Sequence, residues 1–151
     1  MALYHILVLS SIICASVVCN ISALLFIRGQ NSARNLSLKD KTISILCVTN
    51  ILLTIPYTIE VHAYAEQYIS DTSCQISAFL VCCLTYTSIG YFVELAMERS
   101  ISTSSLHTGY VDCASSVIWL LIPPIIGFML GSAPLLGWGK YGKSRANSLY
   151  C

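Results

Sequence analysis

Charge is what this sequence has least of. Its 151 residues include 8 Lys and Arg against 7 Asp and Glu, 10% of the chain, where a soluble domain has about a quarter. With 56% hydrophobic residues, such a chain has too few ionised groups to clothe a surface in water, and its composition fits lipid. The net charge is only +1 and no basic stripe with interleaved aromatics is present, which argues against nucleic acid as a partner. Signatures of catalysis are lacking as well. There is no HExxH, no pair of catalytic carboxylates and no phosphate loop, and none of the 8 cysteines stands in a Cys-x-x-Cys pair. Metal and thiol-redox chemistry therefore have no motif to rest on, and an enzyme is not expected. Gly137, Gly139 and Gly142 do spell GxGxxG, but no strand before them or helix after them is indicated, and a dinucleotide site is dismissed.

The charges that exist sit at the edges of apolar runs. Met1 to Ile27 is uncharged and ends at Arg28. Thr42 to Ile59 is uncharged and continues less cleanly past Glu60 to about Tyr64. Cys74 to Met97 is broken only by Glu94, and Cys113 to Gly137 lies between Asp112 and Lys140. Runs of this length cross a bilayer as helices. The pattern predicts an all-α, multi-pass transmembrane bundle with helices at about 2–27, 42–64, 74–102 and 113–137. A cleaved signal peptide is the rival reading of the first run. No Lys or Arg precedes Arg28 and the apolar segment is too long, so a spanning helix is favoured.

Orientation follows from the basic residues. Arg28, Arg34, Lys39 and Lys41 flank the first connection, which places it in the cytoplasm and the N-terminus outside. The second connection holds Glu66 and Asp71 and no basic residue, which suits the exterior. The third, from Arg99 to Asp112, returns to the cytoplasm, and the segment 138–151 is external. Lys140, Lys143 and Arg145 run against the rule there. Pro56, Pro123, Pro124 and Pro134 fall in or at the ends of apolar helices, where lipid-embedded helices tolerate them as kinks.

Within this frame, the third run carries the most information. Read as one helix, it puts Cys74 and Arg99 about 37 Å apart, more than the roughly 30 Å hydrocarbon core. A cysteine then marks one water-facing end and the Glu98-Arg99 pair the other. An Arg at such an end can simply snorkel to the phosphates; the neighbouring Glu98 and the polar residues of the other helices raise a functional alternative.

Those residues together resemble the rhodopsin-like (class A) G-protein-coupled receptors. Asn20 in Val-Cys-Asn-Ile-Ser is similar to the family's first-helix Asn, and Leu-Cys-Val-Thr-Asn, ending at Asn50, to its second-helix Leu-Ala-x-Ala-Asp. Ala133 to Tyr141, Ala-Pro-Leu-Leu-Gly-Trp-Gly-Lys-Tyr, resembles the end of the fourth helix in animal opsins, and the spacing from Trp138 to Cys151 is within about a residue of theirs. The resemblance implies four helices of a seven-helix fold, so the chain is expected to be part of a longer protein. It further implies a Cys74–Cys151 disulfide, a Glu98–Arg99 switch that releases Arg99 to a heterotrimeric G protein, and an interhelical polar network through Asn20 and Asn50. It implies a place in the plasma membrane and retinal as ligand, with the attachment lysine outside this chain. Ser77, Val81, Cys82 and Thr85 share one helical face; they either line the ligand pocket or pack against neighbouring helices. The other cysteines read as small packing residues.

The chain departs from the family at several positions. Ser100 stands where Tyr is usual, and Asn50 where Asp is usual, which removes the charge tied to sodium. Ser77 takes the counterion position of vertebrate visual pigments, and Ser144 or Arg145 the site of the loop carboxylate in other opsins. Pro123 and Pro124 replace the fourth-helix Trp, and Glu94 sits one turn before Glu98 at an ordinarily apolar site. The alternatives are a class A receptor for a diffusible small molecule or peptide and, more remotely, a four-helix membrane scaffold. The scaffold predicts a large cysteine-bearing external loop between the last two helices, where this chain has a short cytoplasmic one.

Overall fold

The computed structural model describes residues 2–30, 37–66, 71–103, 113–138 and 141. Four helices follow one another: α1 (Ala2–Gln30), α2 (Leu38–Glu66), α3 (Asp71–Thr103) and α4 (Cys113–Ser132). Each packs on its sequence neighbour, α1 on α2, α2 on α3 and α3 on α4. Three stretches are long and apolar enough to cross a membrane: Ile6–Gly29, Leu38–Ile59 and Thr72–Ser100. α4 is the shortest of the four helices, at 20 residues.

The polarity of the bundle is inverted relative to a soluble protein. Fully or nearly buried positions are occupied by Thr42, Thr49, Ser77, Thr87 and Ser88 alongside Leu46, Cys47, Cys74 and Tyr91. Large apolar side chains such as Leu25, Phe26, Phe92, Phe128 and Met129 are exposed. Water would penalise that surface. Lipid does not, and small or hydroxyl-bearing residues at the seams let helix backbones approach and bond. The hydroxyls are satisfied: Thr42, Thr49 and Thr87 donate back to the carbonyls of Leu38, Ile45 and Cys83, at 3.1, 2.9 and 2.7 Å.

Helix ends differ from the sequence expectation where local chemistry intervenes. α2 begins a turn earlier than 42 because Ser37 caps it. The Ser37 Oγ accepts from the Asp40 backbone N–H at 3.2 Å and donates to the Asp40 carboxylate at 2.8 Å, a short-armed form of the capping box. The expected fourth helix, 113–137, ends at Ser132 instead. Pro134 has no N–H for the carbonyl one turn back and disfavours helical geometry at Ala133. The chain makes one further turn and stops in a Schellman arrangement. Trp138 N–H donates to the Ala133 carbonyl at 3.0 Å and Gly137 N–H to that of Pro134 at 3.3 Å. Gly137 has φ +97°, a conformation that glycine adopts without a Cβ penalty.

Candidate functional site along the third helix

α3 is the axis on which the candidate residues lie. It contacts both α2 and α4, and its polar side chains divide between those two seams. Towards α2, Ser77 is fully buried and its Oγ donates to the Pro56 carbonyl at 3.4 Å. Further along, the Ser88 Oγ donates to the Asn50 Oδ1 at 3.3 Å. These pairings run in opposite sequence directions on the two helices, so α2 and α3 are antiparallel.

The α4 seam is closer still. A Cβ added at Gly90 would stand 2.7 Å from the Pro123 Cβ. One at Gly127 would collide with the Thr87 hydroxyl and the Cys83 carbonyl, and one at Gly131 with the Cys83 sulfur. Gly127-x-x-x-Gly131 thus lets the α4 backbone lie directly on α3. The Gly-x-x-x-Gly spacing is legible in the sequence, but not which helix it faces.

One of those prolines explains Tyr91. Pro124 lacks the N–H that would close on the Leu120 carbonyl. The Tyr91 hydroxyl, on a residue only 2% exposed, donates to that carbonyl at 3.0 Å, so α3 repairs the gap left in α4. A similar repair closes the far end of α4, where Tyr141 donates to the Gly131 carbonyl at 2.7 Å. Withdrawal from water, and next a hydrogen bond with Cys82, push the Tyr141 phenol up, so it remains a donor at neutral pH.

Cys74, 1% exposed, is disulfide-bonded, while Cys151 lies outside the described residues. Val81, Cys82 and Thr85 are half-buried, and Cys82 is a free thiol. Glu98 is half-buried and Arg99 exposed, at the end of α3 opposite Cys74. Glu94, a turn inside them, has a buried Oε1 without a hydrogen-bond partner among the described residues. Asn50 joins α2 to α3 by accepting from the Ser88 hydroxyl. Asn20 does not share in that pairing among the described residues. Its amide donates to the Ser16 carbonyl at 2.7 Å and the Ser16 hydroxyl at 3.4 Å, both on α1. The physical reason is position: the apolar stretch of α1 has no buried residue, so its polar groups are satisfied locally.

No group of three or more His, Cys, Asp or Glu side chains able to hold a metal ion occurs among the described residues. Neither the known protein-family models nor the curated proteins yield a match to the chain.

Proposed function

We propose that this chain is the first half of a rhodopsin-like receptor that signals to a heterotrimeric G protein from the plasma membrane, with its N-terminus outside. The observation that carries the reading is α3 itself. One unbroken helix, Asp71–Thr103, about 48 Å long, joins a disulfide-bonded cysteine at one end to Glu98-Arg99 at the other. A covalent anchor on one face of the membrane and a releasable cation on the other are what a transmembrane switch requires. The Asn50–Ser88 bond adds support, since it ties the second-helix residue singled out by the resemblance to α3.

The roles follow from that placement. Cys74 pairs with Cys151 and fixes the external loop over α3. Glu98 restrains Arg99 in the resting state, and movement of the helices on activation frees it for the G protein. Asn50, being neutral, supports α2–α3 contact without holding a sodium ion. The ligand is retinal by the Trp138 motif, bound to a lysine beyond this chain. A receptor for a diffusible ligand is the second reading, and Ser77 favours it. Its hydroxyl is uncharged and already engaged with Pro56, so this position offers no counter-charge to a protonated Schiff base.

Two measurements test the proposal. Sequence of the source transcript beyond the Cys151 codon should encode three more apolar segments, with a mid-membrane Lys in the last if retinal is the ligand. Seven helices without that Lys would leave the diffusible-ligand receptor; a stop codon directly after Cys151 would sink signalling by this product. In cells carrying the whole receptor and a G-protein reporter, Arg99→Ala should abolish stimulus-dependent signalling while surface expression persists. Undiminished signalling would overturn the switch.

A further inference from the structure

α4, Cys113–Ser132, has 20 residues and is about 30 Å long. That matches the roughly 30 Å hydrocarbon core with nothing to spare, while α1, α2 and α3 have 29, 29 and 33 residues. The chain does not become polar where α4 stops. It enters the turn Ala133–Gly137 with Leu135 56% and Leu136 78% exposed, followed by Trp138 at 86%. An external loop would ordinarily present polar groups here.

The turn is also held in place. Its backbone bonds close it on Ala133 and Pro134, and the Tyr141 hydroxyl ties the following chain back to the Gly131 carbonyl at 2.7 Å. Leu135, Leu136 and Trp138 are therefore carried on a closed knuckle fastened to the end of the helix. Lys140, Lys143 and Arg145 come next in the sequence.

We infer that this knuckle is a lipid-binding element: it inserts at the membrane interface, with Leu135 and Leu136 among the upper acyl chains and Trp138 at the level of the headgroups. The turn continues the exposed apolar surface of α4 past its last residue. A Trp prefers that depth because its ring is apolar and its N–H needs a polar partner. The basic residues that follow it in the sequence, Lys140, Lys143 and Arg145, suit a phosphate-bearing surface on the side of the membrane where the positive-inside rule does not expect them. The inference rests on α4 crossing the membrane, and its test separates the two claims.

The chain contains only 2 Trp, Trp119 and Trp138. Purified protein carrying Trp119→Phe is reconstituted into phosphatidylcholine vesicles brominated either near the headgroup or near the acyl-chain ends. Trp138 emission should be blue-shifted from its value in water, quenched most by the shallow bromines and little affected by aqueous iodide. A companion protein with Trp119→Phe, Trp138→Phe and Ile125→Trp places the probe on an exposed site in the middle of α4. Deep bromines should quench it most. If Ile125→Trp is quenched from the bilayer but Trp138 responds to iodide alone, the knuckle faces water and the inference fails while the membrane reading stands. If Trp138 responds to neither quencher, protein covers it and the inference fails equally. If neither probe responds to bromine, α4 does not cross the bilayer and both claims fall.

Discussion

Tyr91 shows how much a single side chain can carry in a bundle with few large buried groups. Its ring is buried and its hydroxyl serves a carbonyl that Pro124 has orphaned. Tyr91→Phe keeps the ring and removes the donor, so the Leu120 carbonyl is left in an apolar seam. We expect a loss of about 1 kcal/mol, between the membrane average for interhelical bonds and the cost of an unsatisfied buried acceptor. Thermal unfolding in detergent measures it. Replacing Pro124 by Ala in the same background should restore most of the loss, because the helix would then close on its own carbonyl. An additive double variant would show that the hydroxyl and the proline are unrelated. Ser88→Ala should cost less, about 0.6 kcal/mol, since the bond it removes is longer, at 3.3 Å, and the other side-chain atoms of Asn50 can rearrange.

At the scale of elements, the α3–α4 seam is set by what glycine omits. Gly131→Leu would drive a side chain into Cys83 and Gly127→Leu one into Thr87 and the Cys83 backbone. Each should destabilise the packed bundle by about 1–3 kcal/mol, as overpacking does. Gly29→Ala is the control. Nothing lies within 4 Å of its added Cβ, and alanine favours helix over glycine, so stability should hold or rise slightly. Stability that holds or rises at Gly127 and Gly131 as well would mean that helix propensity, not close approach, governs the seam. The elements themselves were largely legible in the sequence, because an uncharged run of this length has few folded forms other than a helix. The ends were less so. Ser37 starts α2 through a side-chain bond to Asp40 that hydropathy does not register, and Pro134 stops α4 inside a stretch that remains apolar to Gly137. Of the candidate site, the positions of Cys74 and Glu98-Arg99 at opposite ends of α3 followed from spacing alone. The partners of Asn50, Ser77 and Tyr91 did not, since they depend on which helix faces meet.

For the molecule as a whole, the consequence of an inverted core is that the bilayer, not burial inside the bundle, covers most of its apolar surface. Orientation in that bilayer then rests on the few charges present. Ser37, exposed beside Lys39 and Lys41 at the start of α2, belongs to the basic connection, which the proposed orientation puts in the cytoplasm. The same orientation puts His62, exposed near the other end of the helix, outside. A membrane-impermeant maleimide should therefore label His62→Cys on intact cells and Ser37→Cys only after permeabilisation, each read against the unsubstituted chain. The reverse pattern would turn the molecule over, put Arg99 outside and overturn the proposed coupling to a G protein. Labelling of both sites on intact cells would mean that α2 does not span, and with it the antiparallel α2–α3 pair would lose its place in the membrane.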